Sequence, residues 1–307
     1  MASSLSRREF VQRTAAVGLL GAIGSGSASA AVEDPTLNRT LVFEDTFETI
    51  DWSVWNAGPK AGTWDAGFYG RSAFARQGGE EGFLPYSIVD DVNASKGKAL
   101  QIGATYMGGT MKVPKYYGNN LPEFQWISGN LQTARRDGTI TKSWRKGYFE
   151  ARMLFPAHPL TWPAFWMLNG RSILFPKTSI EIDVVEHKGF EPDVYGTYLH
   201  EWGGNDQHHE STGVKTPVKL TGGYCRYGVL ITDRSCTPFF DRRPVTDTRT
   251  GKPAEWPITR SKEMDANGDT FWPLLTLALR SDVRFPDPLL DKDRFTSMRV
   301  DYFRVYI

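Results

Sequence analysis

Cysteine is nearly absent, with Cys225 and Cys236 the only two among 307 residues. A disulfide-stapled scaffold is thereby excluded, and at most one bridge is possible. An excess of charge of either sign is also lacking. The chain carries 36 Lys and Arg against 35 Asp and Glu, so nothing in its field calls for nucleic acid or an anionic membrane as partner. After the leader described below, no segment approaches the roughly 18 continuous apolar residues that a membrane-spanning helix needs. No long stretch repeats with a helical period. Histidine is scarce too: His158, His187, His200, His208 and His209. His208-His209-Glu210 lacks the His-Glu-x-x-His spacing of a helical zinc site, so the metal ligands, if any, stay unknown.

What the chain does have is a succession of short β patterns punctuated by 30 glycines and 18 prolines. They cover residues 40–43, 99–105, 129–133, 147–155, 165–168, 179–186, 194–200, 226–232, 272–280 and 297–307. Many short strands separated by turn residues argue a sandwich or barrel. The intervals 106–124 and 241–269 read as long loops that wall a cleft. Ahead of these patterns stand Arg7 and Arg8, a short apolar run and Ala28-Ser29-Ala30. This is the form of a secretory signal peptide of twin-arginine type. Residues 1–30 are therefore expected to be an export leader, and 31–307 a single domain working in the periplasm or outside the cell. Cys225 and Cys236 fall on two strands joined by a turn at Asp233-Arg234-Ser235. Such a hairpin pairs Cys236 with Ile231 and leaves Cys225 roughly 20 Å along the strand, beyond disulfide reach.

The most informative segment is Ser179-Ile180-Glu181-Ile182-Asp183-Val184-Val185-Glu186-His187. Its β-branched residues favour an extended chain, and alternation puts Glu181 and Asp183 on one face. Glu186 lies an odd number of positions further on and would point away. One extra residue at Val184-Val185, a β-bulge, turns it back so that three carboxylates share a face. Crowded acids are costly unless their mutual repulsion is used to separate their proton affinities, which is what acid–base catalysis needs. His187 falls on the opposite face. Upstream, Trp162 and Trp166 lie an even number apart and can both face the acids, and Trp126 is a further aromatic candidate for stacking on sugar C–H faces. Glu150 and Arg152 share the polar face of their strand and are expected to pair.

With these residues in view, the chain resembles family 16 glycoside hydrolases, the group of laminarinases, agarases and carrageenases. The resemblance is carried by Gly147-Tyr148-Phe149-Glu150-Ala151-Arg152, by Trp162-Pro163-Ala164-Phe165-Trp166-Met167-Leu168 and by Glu181-Ile182-Asp183-Val184-Val185-Glu186. Weaker blocks open and close it, Phe43-Glu44-Asp45-Thr46-Phe47 and Val300-Asp301-Tyr302-Phe303-Arg304-Val305-Tyr306. It implies a β-jelly roll of two curved antiparallel sheets, concanavalin A-like, with a cleft on one face. It also implies a retaining endo-hydrolase of β-linked polysaccharide, with Glu181 as nucleophile, Glu186 as acid/base and Asp183 between them. His200 becomes a substrate contact beside the acid/base. No cofactor is required for the chemistry, although a structural calcium at Asp301 is implied as possible. The expected partner is a polysaccharide, with no nucleic acid and no membrane, and the protein is expected to act as a monomer. The bulged motif resembles that of laminarinases and galactan-cleaving members; β-1,3-glucan is the expected substrate, with a galactan such as agar or carrageenan as the alternative. A non-catalytic carbohydrate-binding protein on the same fold is the rival from another class.

Overall fold

The computed structural model describes residues 34–58, 68–69, 72–79, 82–111, 124–135, 137–174, 178–203, 207–280 and 291–307. The expected leader lies outside the described residues, as do 112–123 of one expected cleft loop. In chain order the strands are β1 (Leu41–Asp45), β2 (Asn56–Ala57), β3 (Phe68–Tyr69), β4 (Ser72–Phe74), β5 (Tyr86–Asp90), β6 (Lys98–Met111), β7 (Phe124–Ser128), β8 (Asn130–Gln132) and β9 (Gly147–Leu154). There follow β10 (Thr161–Asn169), β11 (Ile180–His187), β12 (Val194–Glu201), β13 (His208–Lys215), β14 (Cys225–Ile231) and β15 (Ser235–Phe240). The last are β16 (Arg243–Pro244), β17 (Trp256–Pro257), β18 (Phe271–Leu279) and β19 (Phe295–Tyr306).

These form two sheets. The larger runs β16-β15-β14-β9-β19-β6-β7-β4-β3, with β1 also paired to β19, β5 to β6 and β17 to β15. The smaller runs β13-β12-β11-β10-β18-β8-β2 and holds the acid strand β11. Every recorded pairing is antiparallel except β4 with β7. Pro163 and Pro273 sit inside strands because pairing is one-sided there. Neither contact with β11 before Ala164 nor contact with β8 before Leu274 is in the register, so no ladder donor is lost.

Alternation builds the core between the sheets. Phe149, Ala151 and Met153 of β9, with Leu100, Ile102 and Ala104 of β6, meet Phe165 and Met167 of β10, Ile182, Val184 and Val185 of β11, and Leu275 and Leu277 of β18. Strand β19 changes parity midway. Met298 and Val300 are core residues and so are Phe303 and Val305, because a register shift between Val300 and Tyr302 leaves Asp301 as the extra residue. The sequence reading did not anticipate this second bulge. Gly147, at φ +134°, starts β9 where a Cβ would stand 2.5 Å from the Tyr306 carbonyl oxygen, so a side chain is excluded by space as well as by conformation.

Two expectations need correction. Glu150 and Arg152 do not pair. Glu150 is fully buried and accepts bonds from Tyr148, Tyr302 and two nitrogens of Arg242, whereas Arg152 reaches Asp301. Asp301, the residue at which the resemblance implies a structural calcium as possible, accepts the Ser95 N–H and hydroxyl, each at 2.8 Å, and pairs with the Arg152 guanidinium. The interval 241–269 is not a bare loop: it contains β16, β17 and a helix at Ser261–Asn267.

The two thiols are unbonded and buried. Cys236 faces Ile231 and Cys225 faces Met153, as the hairpin argument requires. Burial pushes the Cys225 thiol up to about 11 and Cys236 higher still, so both are unreactive thiols. Ellman's reagent is expected to find no thiol in the folded protein and two after denaturation.

His187 is fully buried on the core side of β11, stacked on Phe155 at 5.1 Å and 14°, with Nε2 against the Glu191 carbonyl. Burial lowers its imidazole to about 4, against roughly 6.5 in an unfolded chain. Between those values the unfolded state holds the extra proton, so stability falls as pH drops from about 6.5 towards 4. His187→Phe keeps a ring on Phe155 and removes that titration. Compared by urea unfolding, the parent is expected to lose about 2 kcal/mol more than the variant between pH 7 and 4.5.

Candidate active site

The face of the smaller sheet that turns away from the core carries the acids. Strand β11 pairs with β10 as Leu168↔Glu181, Trp166↔Asp183, Phe165↔Val185 and Ala164↔Glu186, with a register shift that leaves Val184 extra. On its other side Asp183↔Tyr198 and Glu186↔Gly196 bracket a second sign of the same bulge. Thr197, the single residue opposite Val184 and Val185, donates its hydroxyl to the Asp183 carbonyl at 2.8 Å. Both valines enter the core. Glu181, Asp183 and Glu186 consequently share the open face, Glu181 and Asp183 buried and Glu186 partly exposed.

Reading across the strands, each acid lies in a row of its own. The Glu186 row is Gly213, Gly196, Glu186, Ala164, Thr276 and Asn130. Apart from the acid these are small or short side chains, and Ala164, Thr276 and Asn130 are buried. The Asp183 row is bulkier, with Ser211, Tyr198, Asp183, Trp166 and Leu274. Tyr198 fills the space over Gly196: a Cβ there would stand 2.2 Å from its hydroxyl oxygen. Burial, then the charges of Glu186 and Asp183, raise the Tyr198 phenol, so it stays a neutral O–H donor. The Glu181 row holds His209, His200, Glu181, Leu168 and Trp272.

Of the aromatic candidates, Trp162 is half-buried on the open face, two residues before Ala164 in the Glu186 row. Trp166 is on that face as well but only 4 % exposed, packed with Ala134, Ala164, Leu168, Ile173, Trp272 and Leu274. Its Nε1 donates to Thr276 Oγ1 at 2.8 Å, and Thr276 donates to Asn130. It is floor rather than platform. Trp126 is a correction: it is 1 % exposed in the inter-sheet core, its ring 5.5 Å from Tyr106 and 5.7 Å from His158. Its strand β7 belongs to the other sheet and turns this side chain inward.

His200 does sit among the acids, with Nε2 3.5 Å from Asp183 Oδ2. Its Nδ1 meets His209 Nδ1 at 2.9 Å, so one ring donates and the other accepts, and at least one is neutral. Burial, then the neighbouring charge of His208, lowers the His209 imidazole, which favours the neutral form there. Trp202 stacks on His200 at 4.9 Å and donates Nε1–H to Glu181 Oε2 at 2.9 Å. Tyr198, Trp202 and His209 were missed in the sequence. A signal existed for the last: Gly203-Gly204-Asn205 is a turn-forming sequence, and the register of β12 with β13 sets His209 opposite His200.

No group of three or more His, Cys, Asp or Glu side chains suited to a metal occurs among the described residues. No helix of the described residues is long and apolar enough to cross a membrane.

No family model matches the chain. An endo-1,3-1,4-β-glycanase of Rhizobium meliloti (strain 1021) is 24% identical over 286 residues, 88% of this chain and 53% of that protein. The chain spans about half the length, or less, of the curated relatives it matches. Among solved structures, the catalytic domain of an endo-1,3-β-glucanase (laminarinase) from Thermotoga petrophila RKU-1 superposes with TM-score 0.60 at 18% identity, over 88% of this chain and 98% of that one. A family 16 endo-glucanase from Bacteroides ovatus does so with TM-score 0.60 at 17% identity, over 86% and 99%. The fold is therefore the jelly roll of family 16 glycoside hydrolases, as the sequence resemblance implies.

Proposed function

We propose that the protein is a retaining endo-β-glucanase of the family 16 type, acting as a monomer on β-1,3-linked glucan outside the cytoplasm. The observation that carries the reading is the bulge at Val184-Val185, which gathers Glu181, Asp183 and Glu186 on one face. The named activities of the similar proteins support the substrate class. A glucan chain lying on the open face passes Glu186, the one of the three acids that is partly exposed. Glu186 delivers a proton to the leaving glycosidic oxygen while Glu181 attacks the anomeric carbon, giving a covalent glycosyl-enzyme. Glu186 then takes a proton from water, which displaces Glu181. Asp183, between them and against His200, adjusts the charge balance through both steps. Two carboxylates about 5–5.5 Å apart suit this double displacement, and one bulged strand can hold them there rigidly.

Proton NMR of the first products from laminarin and lichenan tests the reading. The β-anomer is expected first, appearing before mutarotation. An initial α-anomer would mean inversion and would remove Glu181 as nucleophile. Absence of new reducing ends on laminarin, lichenan, agarose and carrageenan alike would leave a carbohydrate-binding protein instead.

A further inference from the structure

We infer that Trp202 is the positioning residue for Glu181, and that Arg260, far away in sequence, holds Trp202 in place. The inference rests on Glu181 being the nucleophile and adds what aims it. Trp202 follows the last residue of β12, where a strand end would ordinarily fray. Here it is bolted on every side. Its N–H donates to the Ser179 carbonyl at 2.8 Å. Its own carbonyl accepts Arg260 Nη1 at 2.5 Å, and the next carbonyl, of Gly203, accepts Arg260 Nη2 at 2.9 Å. One residue earlier, the fully buried Glu201 carboxylate accepts the Thr259 N–H and hydroxyl and the Arg260 N–H, and it contacts His208 Nδ1. The segment 259–260 is therefore tied to the strand end by a carboxylate on one side and a guanidinium on the other.

The consequence falls on the indole. Packed on His200 at 4.9 Å and 28° and against His209 at 4.9 Å and 60°, the ring has little rotational freedom. Its Nε1–H, a donor with no acceptor capacity, ends on Glu181 Oε2. A carboxylate on a flexible side chain is thus given one fixed contact, supplied by a ring that is itself fixed. Fixing a nucleophile matters because a displacement of about 1 Å can cost roughly 10²-fold in rate.

Trp202→Phe keeps the ring and removes the N–H, and Arg260→Gln removes the clamp without touching any open-face side chain. Three measurements separate the outcomes: kcat and KM on laminarin, the rate at which a 2-deoxy-2-fluoro laminaribioside with a dinitrophenolate leaving group labels Glu181, and the Trp202 indole N–H resonance. Both variants are expected to lose on the order of 10–10²-fold in kcat and in labelling rate, with KM within about twofold. The indole resonance should move on Glu181→Gln. If Trp202→Phe raises KM and leaves kcat and labelling unchanged, Trp202 is a sugar platform and the inference falls. If Arg260→Gln matches the parent in all three, the clamp falls. Should the parent neither turn over nor label, the hydrolase reading fails alone. The indole resonance then still decides: unmoved by Glu181→Gln, it overturns the contact as well.

Discussion

Glu181→Gln is expected to abolish hydrolysis of laminarin while leaving the protein folded and able to bind its glucan. Removing one member of a cooperating catalytic set costs on the order of 10⁴–10⁶-fold in turnover, and the amide cannot form the glycosyl-enzyme. The substitution is isosteric, and Glu181 Oε2 keeps an acceptor for Trp202 if the amide oxygen takes that place, so thermal unfolding should change little. Glu186→Ala behaves differently. Loss of general acid–base help costs on the order of 10²–10⁴-fold, and an aryl glycoside with a good leaving group should recover part of the first step. Azide then distinguishes the two roles. With Glu186→Ala it intercepts the covalent intermediate and gives a β-glycosyl azide. With Glu181→Ala it attacks the substrate itself and gives the α-azide. Reversal of those products between the two variants would exchange the assignments.

Deleting Val185 is expected to give a folded protein with activity reduced by about 10²-fold. The pairings on each side of the bulge, Asp183 with Trp166 and Glu186 with Ala164, are fixed by neighbouring strands, and one residue between them suffices for an unbulged ladder. Glu186 therefore still faces the open side of the sheet after the deletion. What changes is the bend between Asp183 and Glu186, together with the loss of one valine from the core. Removal of that buried side chain should cost about 1.5–3 kcal/mol, visible as a lower melting temperature. Circular dichroism, thermal unfolding and a laminarin assay read the three effects separately. Full activity in the deletion variant would show that the bulge is not what sets the distance between the two glutamates.

The acid strand was legible because its information is local. Alternation, β-branched spacers and one residue too many are all contained in nine positions, and they specify a face and a bulge without reference to the rest of the chain. The apolar face of β9 and the separation of the cysteines were legible for the same reason. Harder to read were features made by residues distant in sequence. Glu150 has Arg152 two positions away, yet it takes Arg242, whose backbone adopts φ +64° to reach it. Nothing in Asp241-Arg242-Arg243 announces that conformation, and burial alone decides which cation fills the space. Trp126 could not be assigned a side from its own strand, because the partner sheet determines which face is inside. Strand β13 was overlooked since His208-His209-Glu210-Ser211 is polar, and among the described residues it is the end strand of its sheet.

The order of strands in the smaller sheet also bears on how the molecule is made. Strands β10, β11, β12 and β13 follow one another in sequence and lie side by side, so the acids and both neighbouring strands come from one continuous stretch of chain. Pairing of β1 with β19, by contrast, joins Leu41 to Tyr306. Loop-closure entropy makes the first set of contacts quick to form and the second slow. A nascent or refolding chain can therefore assemble the strands that carry the three carboxylates well before the opposite sheet closes behind them. Until it does, the valines at the back of β11 face solvent. The interval is when this protein is most exposed to aggregation, and it ends only when the last strand has been added.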